Sequence, residues 1–103
     1  MTTTTNKFQV AETILAQLGG NRFIAMTGAK DFLGDASALH FRIPRNRTKA
    51  NRVTITLRAD DTYSIEWFSV RGFDKVVRKS FEGIYADQLR HLWESETGLL
   101  TSL

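Results

Sequence analysis

Six cations stand in a stretch of the chain that holds no acid. Between Asp35 and Asp60 there is no Asp or Glu, and the same window carries Arg42, Arg45, Arg47, Lys49, Arg52 and Arg58, together with His40. These are six of the 14 Lys and Arg residues, so positive charge is concentrated here well beyond what a net charge of +3 implies. Grouped cations without interleaved carboxylates can hold a polyanion, because each neutralised phosphate releases condensed counterions. Asn46 and Asn51 add hydrogen-bond donors and acceptors to the cluster. The plain alternative is a solvated connection between two strands, where cations sit in water at no penalty.

Other chemistry is poorly served by the residue types present. There is no cysteine, which excludes a disulfide framework, a thiolate metal site and a cysteine nucleophile. His40 and His91 are the two histidines and neither stands at ligand spacing from another donor, so no metal or general acid–base set is assembled. Asp60 and Asp61 read as turn residues, and Glu94 and Glu96 as solvated helix positions. Gly19-Gly20-Asn21-Arg22 and Thr27-Gly28-Ala29-Lys30 have the look of phosphate loops but lack the glycine spacing and the Lys-Ser or Lys-Thr pair of one. The expectation is a protein without catalytic residues, cofactor or metal.

A chain of 103 residues makes one domain with one modest core. Residues 1–5, Met1 to Thr5, read as a frayed polar start without the apolar stretch of a signal peptide. No apolar run approaches the ~20 residues that span a bilayer. A cytoplasmic protein with no membrane partner is therefore expected.

The elements that must position the cations follow from periodicity. Thr5 or Asn6 can cap a helix over about 6–18, in which Phe8, Ala11, Ile14, Leu15 and Leu18 share a face and Gly19-Gly20 end it. Arg22 to Met26 reads as a short buried strand, Thr27 to Asp31 as a turn, with Phe32 and Leu33 tucking back. Leu39 to Ile43 and Arg52 to Arg58 alternate cleanly. They place Arg42, Arg52 and Arg58 on an outward face, with Arg45, Arg47 and Lys49 on the flexible loop between. Tyr63 to Val70 follows, with Phe68 outward, and Phe41, Tyr63 and Trp67 in the core. Lys75 to Phe81 reads as an edge strand. Gly83 separates it from a second helix carrying Tyr85, Leu89, Leu92, Trp93 and Glu96 on one stripe and closing at Gly98. Leu99, Leu100 and Leu103 form an apolar tail that docks on the sheet or on a partner. The result is an α+β fold: an antiparallel sheet of about five strands flanked by an N-terminal and a C-terminal helix.

The run from Gln17 to Lys30 (Leu18, Gly19, Gly20, Asn21, Arg22, Phe23, Ile24, Ala25, Met26, Thr27, Gly28 and Ala29 between them) resembles the opening signature of a family of small uncharacterised proteins of phages and bacterial mobile elements. Gly83-Ile84-Tyr85-Ala86-Asp87-Gln88-Leu89 and Thr97 to Leu103 are similar to that family's ending, and the middle strands follow its pattern. The resemblance implies a phage-like gene working in a bacterial cytoplasm, and no activity or catalytic residue. The order of elements is also loosely similar to double-stranded-RNA-binding and single-strand-binding α+β modules.

Three functions are expected to compete. The first is a non-enzymatic accessory protein that grips DNA or RNA by its backbone through Arg42, Arg45, Arg47, Lys49, Arg52 and Arg58. The second is a phage-encoded inhibitor of a host defence or host enzyme that docks on an acidic protein surface or pairs through a sheet edge. The third is a structural, self-associating phage protein, with homo-oligomers formed through the weak fifth strand.

Overall fold

A computed structural model describes residues 8–101. Five strands follow one another in a meander, β1 Lys30–Gly34, β2 Ala38–Arg42, β3 Arg52–Leu57, β4 Tyr63–Arg71 and β5 Asp74–Ile84, each antiparallel to the next and in sequence order across one sheet. Helices α1 (Gln9–Leu18) and α2 (Asn21–Thr27) precede the sheet. A 3-10 turn at Ala86–Gln88 leads into α3 (Leu89–Thr97) after it. The α+β arrangement with helices at both ends is thus the fold of this chain. The caps expected at Thr5 and Asn6, and the frayed start at 1–5, lie outside the described residues, as does Leu103.

Alternation explains the sheet. Leu39, Phe41, Val53, Ile55, Tyr63, Ile65 and Trp67 are buried on one face, while His40, Thr54, Ser64, Glu66 and Phe68 are half-exposed on the other. The helices supply Ile14, Leu18, Phe23, Leu89 and Trp93 to the buried side, all without measurable exposure. Phe23, Phe41, Trp67 and Trp93 form its centre. Phe23 meets Trp93 edge-on with ring centroids 5.0 Å apart, and Trp93 lies 5.7 Å from Phe41 and 5.9 Å from Trp67. The indole N–H groups of Trp67 and Trp93 find no protein acceptor in this apolar centre.

Three local expectations are corrected. Arg22 to Met26 is not a strand but most of α2. Phe23 and Thr27, four residues apart, both point inward, and Thr27 Oγ1 donates to the Phe23 carbonyl at 2.7 Å. A short apolar run fits either period, and the glycine pair that ends α1 lets a new helix start at once. The first strand is instead Lys30–Gly34, where a turn and a tucked-back pair were expected. Asp31 takes a left-handed φ of 58° at a bulge, which turns Phe32 inward to stack on Phe41 with centroids 5.0 Å apart. Finally, Gly83 does not end the last strand. It sits in a second bulge with φ 69°, and β5 runs on to Ile84.

In α3 the buried stripe is Leu89, Trp93 and Thr97, with Leu92 half-buried, whereas Tyr85 stands 60% exposed before the helix. The tail docks through Thr101 and Leu99, the latter packed against the core. Thr101 is fully buried, and its N–H and Oγ1 both donate to Glu94 Oε2, at 2.8 and 2.9 Å. Leu99 is half-buried and Leu100 exposed.

Candidate anion-binding site

The connection 43–51 between β2 and β3, expected as a flexible loop, is tied together by side-chain hydrogen bonds. Asn46 organises it. Its side-chain amide donates to the carbonyls of Pro44 and Ala50, at 2.8 and 2.9 Å, and its Oδ1 accepts from the Thr48 N–H at 2.9 Å and from the Thr48 hydroxyl. Ile43, Thr48 and Ala50 are buried, so the loop is anchored from below. Its remaining polar groups clasp the next hairpin. The Asn51 side chain donates to the Val70 carbonyl and accepts from the Val70 N–H, at 3.2 and 3.0 Å, as a paired strand residue would. Ser69 Oγ donates to the Lys49 carbonyl at 3.0 Å. Lys49 itself is held at φ 67°, a left-handed conformation that a residue with a Cβ adopts at some strain.

Two adjoining clefts open beside this clasp. One, of about 580 Å³, is lined by Arg45, Asn46, Lys49, Asn51 and Arg71 over Ile43, Pro44 and Ala50. The other, of about 350 Å³, shares Lys49, Asn51 and Arg71 with the first and adds Ser69, Arg78 and Asp74. Four exposed cations from three chain segments therefore meet at one end of the sheet: Arg45 and Lys49 from the loop, Arg71 from β4 and Arg78 from β5. Arg78 is brought there by a bulge. Trp67 pairs with Lys79 and Phe68 with Val77, so Arg78 is the extra residue, and its Nε donates to Ser69 Oγ at 3.1 Å. Among the described residues, Arg45, Lys49 and Arg71 form no ion pair, and Asp74 is the one carboxylate in the walls.

The six cations singled out in the sequence divide. Arg45 and Lys49 enter the clefts. Arg52 lies half-buried on the open sheet face beside its cross-strand partner Phe68. Arg42, opposite Arg52, pairs with Asp31 at 3.3 Å, and Arg58 pairs with Glu82 at 2.7 Å. Arg58 also lies about 20 Å from Arg52, the length of six strand residues. Arg47 serves the end of α3. Its N–H donates to the Thr97 carbonyl at 3.0 Å and its Nη1 to the Ser95 carbonyl at 3.3 Å, which satisfies groups the helix leaves free. Arg71 and Arg78 were missed because they lie outside the acid-free window. The signal that could have found them is the hairpin turn Gly72-Phe73, which folds the chain back and places the two arginines on neighbouring strands.

His40 lies elsewhere, on the open face. Its Nε2 is 2.9 Å from Asp35 Oδ2 and its Nδ1 2.9 Å from Thr54 Oγ1. The His40 contact and the Ser37 N–H hold the Asp35 carboxyl below its ordinary range. The order acid, imidazole, hydroxyl has the form of an activated nucleophile. Thr54, however, lies mid-strand between β2 and β4, where the main-chain donors are taken up by pairing and none is presented to a developing oxyanion. The trio ties the β1–β2 turn to β3. Among the described residues no group of three His, Cys, Asp or Glu side chains could hold a metal ion, and no helix is long and apolar enough to cross a membrane.

Compared with known proteins, the chain matches no family, no curated protein and no solved structure.

Proposed function

We propose that this chain is a non-enzymatic nucleic-acid-binding protein that grips the phosphate backbone with Arg45, Lys49, Arg71 and Arg78. The observation that carries this reading is the convergence of four exposed cations from three segments on two joined clefts, with a single carboxylate in the walls. Asn46, Asn51 and Ser69 hold the supporting main chain, so the cations are presented by a fixed frame. Arg52 extends the basic surface onto the open face. Contacts of this kind recognise the backbone and carry little sequence information. The setting consistent with it is the bacterial cytoplasm implied by the resemblance to phage and mobile-element proteins.

The test is fluorescence anisotropy with labelled DNA and RNA at low salt. Wild type should bind, and the triple variant Arg45→Ala, Lys49→Ala, Arg71→Ala should lose binding while keeping its circular dichroism spectrum and melting temperature. Binding that survives the triple substitution would place the ligand elsewhere.

A second reading, a protein-binding inhibitor, is favoured by one observation. Strand β5 is a sheet edge of 11 residues with Val76 and Val77 about half exposed, a template for strand addition. A partner protein held after nuclease treatment, and released by Val77→Lys, would support it.

A further inference from the structure

Resting on the phosphate-gripping reading, we infer that the ligand is single-stranded nucleic acid and that Phe73 stacks on one of its bases. Phe73 is the most exposed large apolar side chain of the described residues, at 108%, with Leu33 next at 66%. A lone apolar side chain on a surface needs no explanation. Its position does. Phe73 occupies the tip of the β4–β5 hairpin, in a two-residue turn where Gly72 alone has positive φ, at 64°, as a type II′ turn requires. Arg71 pairs directly with Asp74 to close the turn, and the full exposure of Phe73 shows that its ring is not folded back on the sheet. The clasp between Asn51 and Val70 ends two residues before Gly72, so the tip projects from a braced base.

The ring stands next to the cations along the chain. Arg71 lies two residues before Phe73 and lines both clefts with Lys49, while Arg45 lines one and Arg78 the other. A strand whose phosphates run along the clefts delivers a base to the tip. Both faces of the ring are open to it, and every base has a π-face, so stacking there is tolerant of sequence. The form of the ligand follows from what stacking requires. In a duplex each base is already stacked between neighbours, and an inserted ring must first break that stack. A four-cation contact is small for meeting that cost. In a single strand the base face is free.

The experiment compares a labelled single strand with its duplex of equal length at low salt, using wild type, Phe73→Ala, Phe73→Trp and the triple cation variant. Phe73→Ala should weaken single-strand binding about 5- to 150-fold, the range for losing one base–aromatic stack, and leave duplex binding unchanged. Phe73→Trp should keep the affinity, and the single strand should quench its emission. Trp67 and Trp93 are both at 0% exposure, so the quenched signal reports position 73. If Phe73→Ala binds the single strand as wild type does, or if wild type prefers the duplex, stacking is overturned while backbone gripping stands. If wild type binds neither form and the chain is folded, the parent reading fails and stacking fails with it.

Discussion

On the proposed phosphate-gripping function, the salt dependence of binding counts the cations that touch phosphate, and the four cleft cations set its expected size. On single strands each neutralised phosphate contributes about −0.7 to the slope of log K against log salt. Arg45, Lys49, Arg71 and Arg78 line the clefts, which gives a slope of about −2.8 and roughly a 50-fold loss of affinity between about 50 and 200 mM salt. The double variant Arg45→Ala, Lys49→Ala should halve the slope to about −1.4, so that the same change of salt loses only about sevenfold. The matching control is Arg42→Ala, Arg58→Ala. It removes the same formal charge from side chains already paired with Asp31 and Glu82, and the slope should stay near −2.8. Anisotropy titrations at four or five salt concentrations measure both. If the control pair flattens the slope as much as the cleft pair, the phosphates lie along the strands and not in the clefts, and the assignment is refuted.

Three further outcomes concern the frame. Gly34→Ala should destabilise the fold by about 1–3 kcal/mol, because the new Cβ would stand 2.7 Å from the Ala11 Cβ and 3.1 Å from the Phe8 ring; an unchanged melting temperature would contradict the close approach of α1 to β1. Arg47→Ala should cost about 1 kcal/mol through the freed Ser95 carbonyl of α3, the main-chain bond to Thr97 being kept, and should lower the melting temperature by roughly 4–8 °C without altering the salt slope. Glu94 is held below the ordinary glutamate range by the Thr101 N–H and then the Thr101 hydroxyl. A depressed folded-state value means stability that is present above that range and lost as pH falls through the folded value. Urea melts from neutral to acid pH should therefore show stability dropping below about pH 4, and a shallower drop in Glu94→Gln.

The sheet was legible because half of each central strand is buried. Val53, Ile55, Tyr63, Ile65 and Trp67 alternate with polar neighbours, and burial on one face imposes that pattern. Phe68 likewise falls on the open face, as its place beside Trp67 implied. The region 21–34 was not legible. Phe23, Ile24 and Ala25 suit either helix or strand, and what selects the helix is tertiary, the fit of Phe23 between Phe41 and Trp93. Of the six cations grouped in the sequence, two line the candidate site. Clustering in sequence finds Arg45 and Lys49, but it cannot tell a free cation from one facing an acid across the sheet. Asp31 lies 11 residues from Arg42 and Glu82 lies 24 from Arg58. Nor does it find Arg78, whose side chain arrives by way of a bulge.

The Asn51 side chain has a mechanical consequence. The main chain of Asn51 already bonds to Phe68 and Ile43; by pairing with both the N–H and the carbonyl of Val70, the side chain carries the contact with β4 two residues further, like a peg that locks two beams. The loop with Lys49 and the β4–β5 hairpin that carries Phe73 are thereby fastened to each other by side chain as well as by sheet.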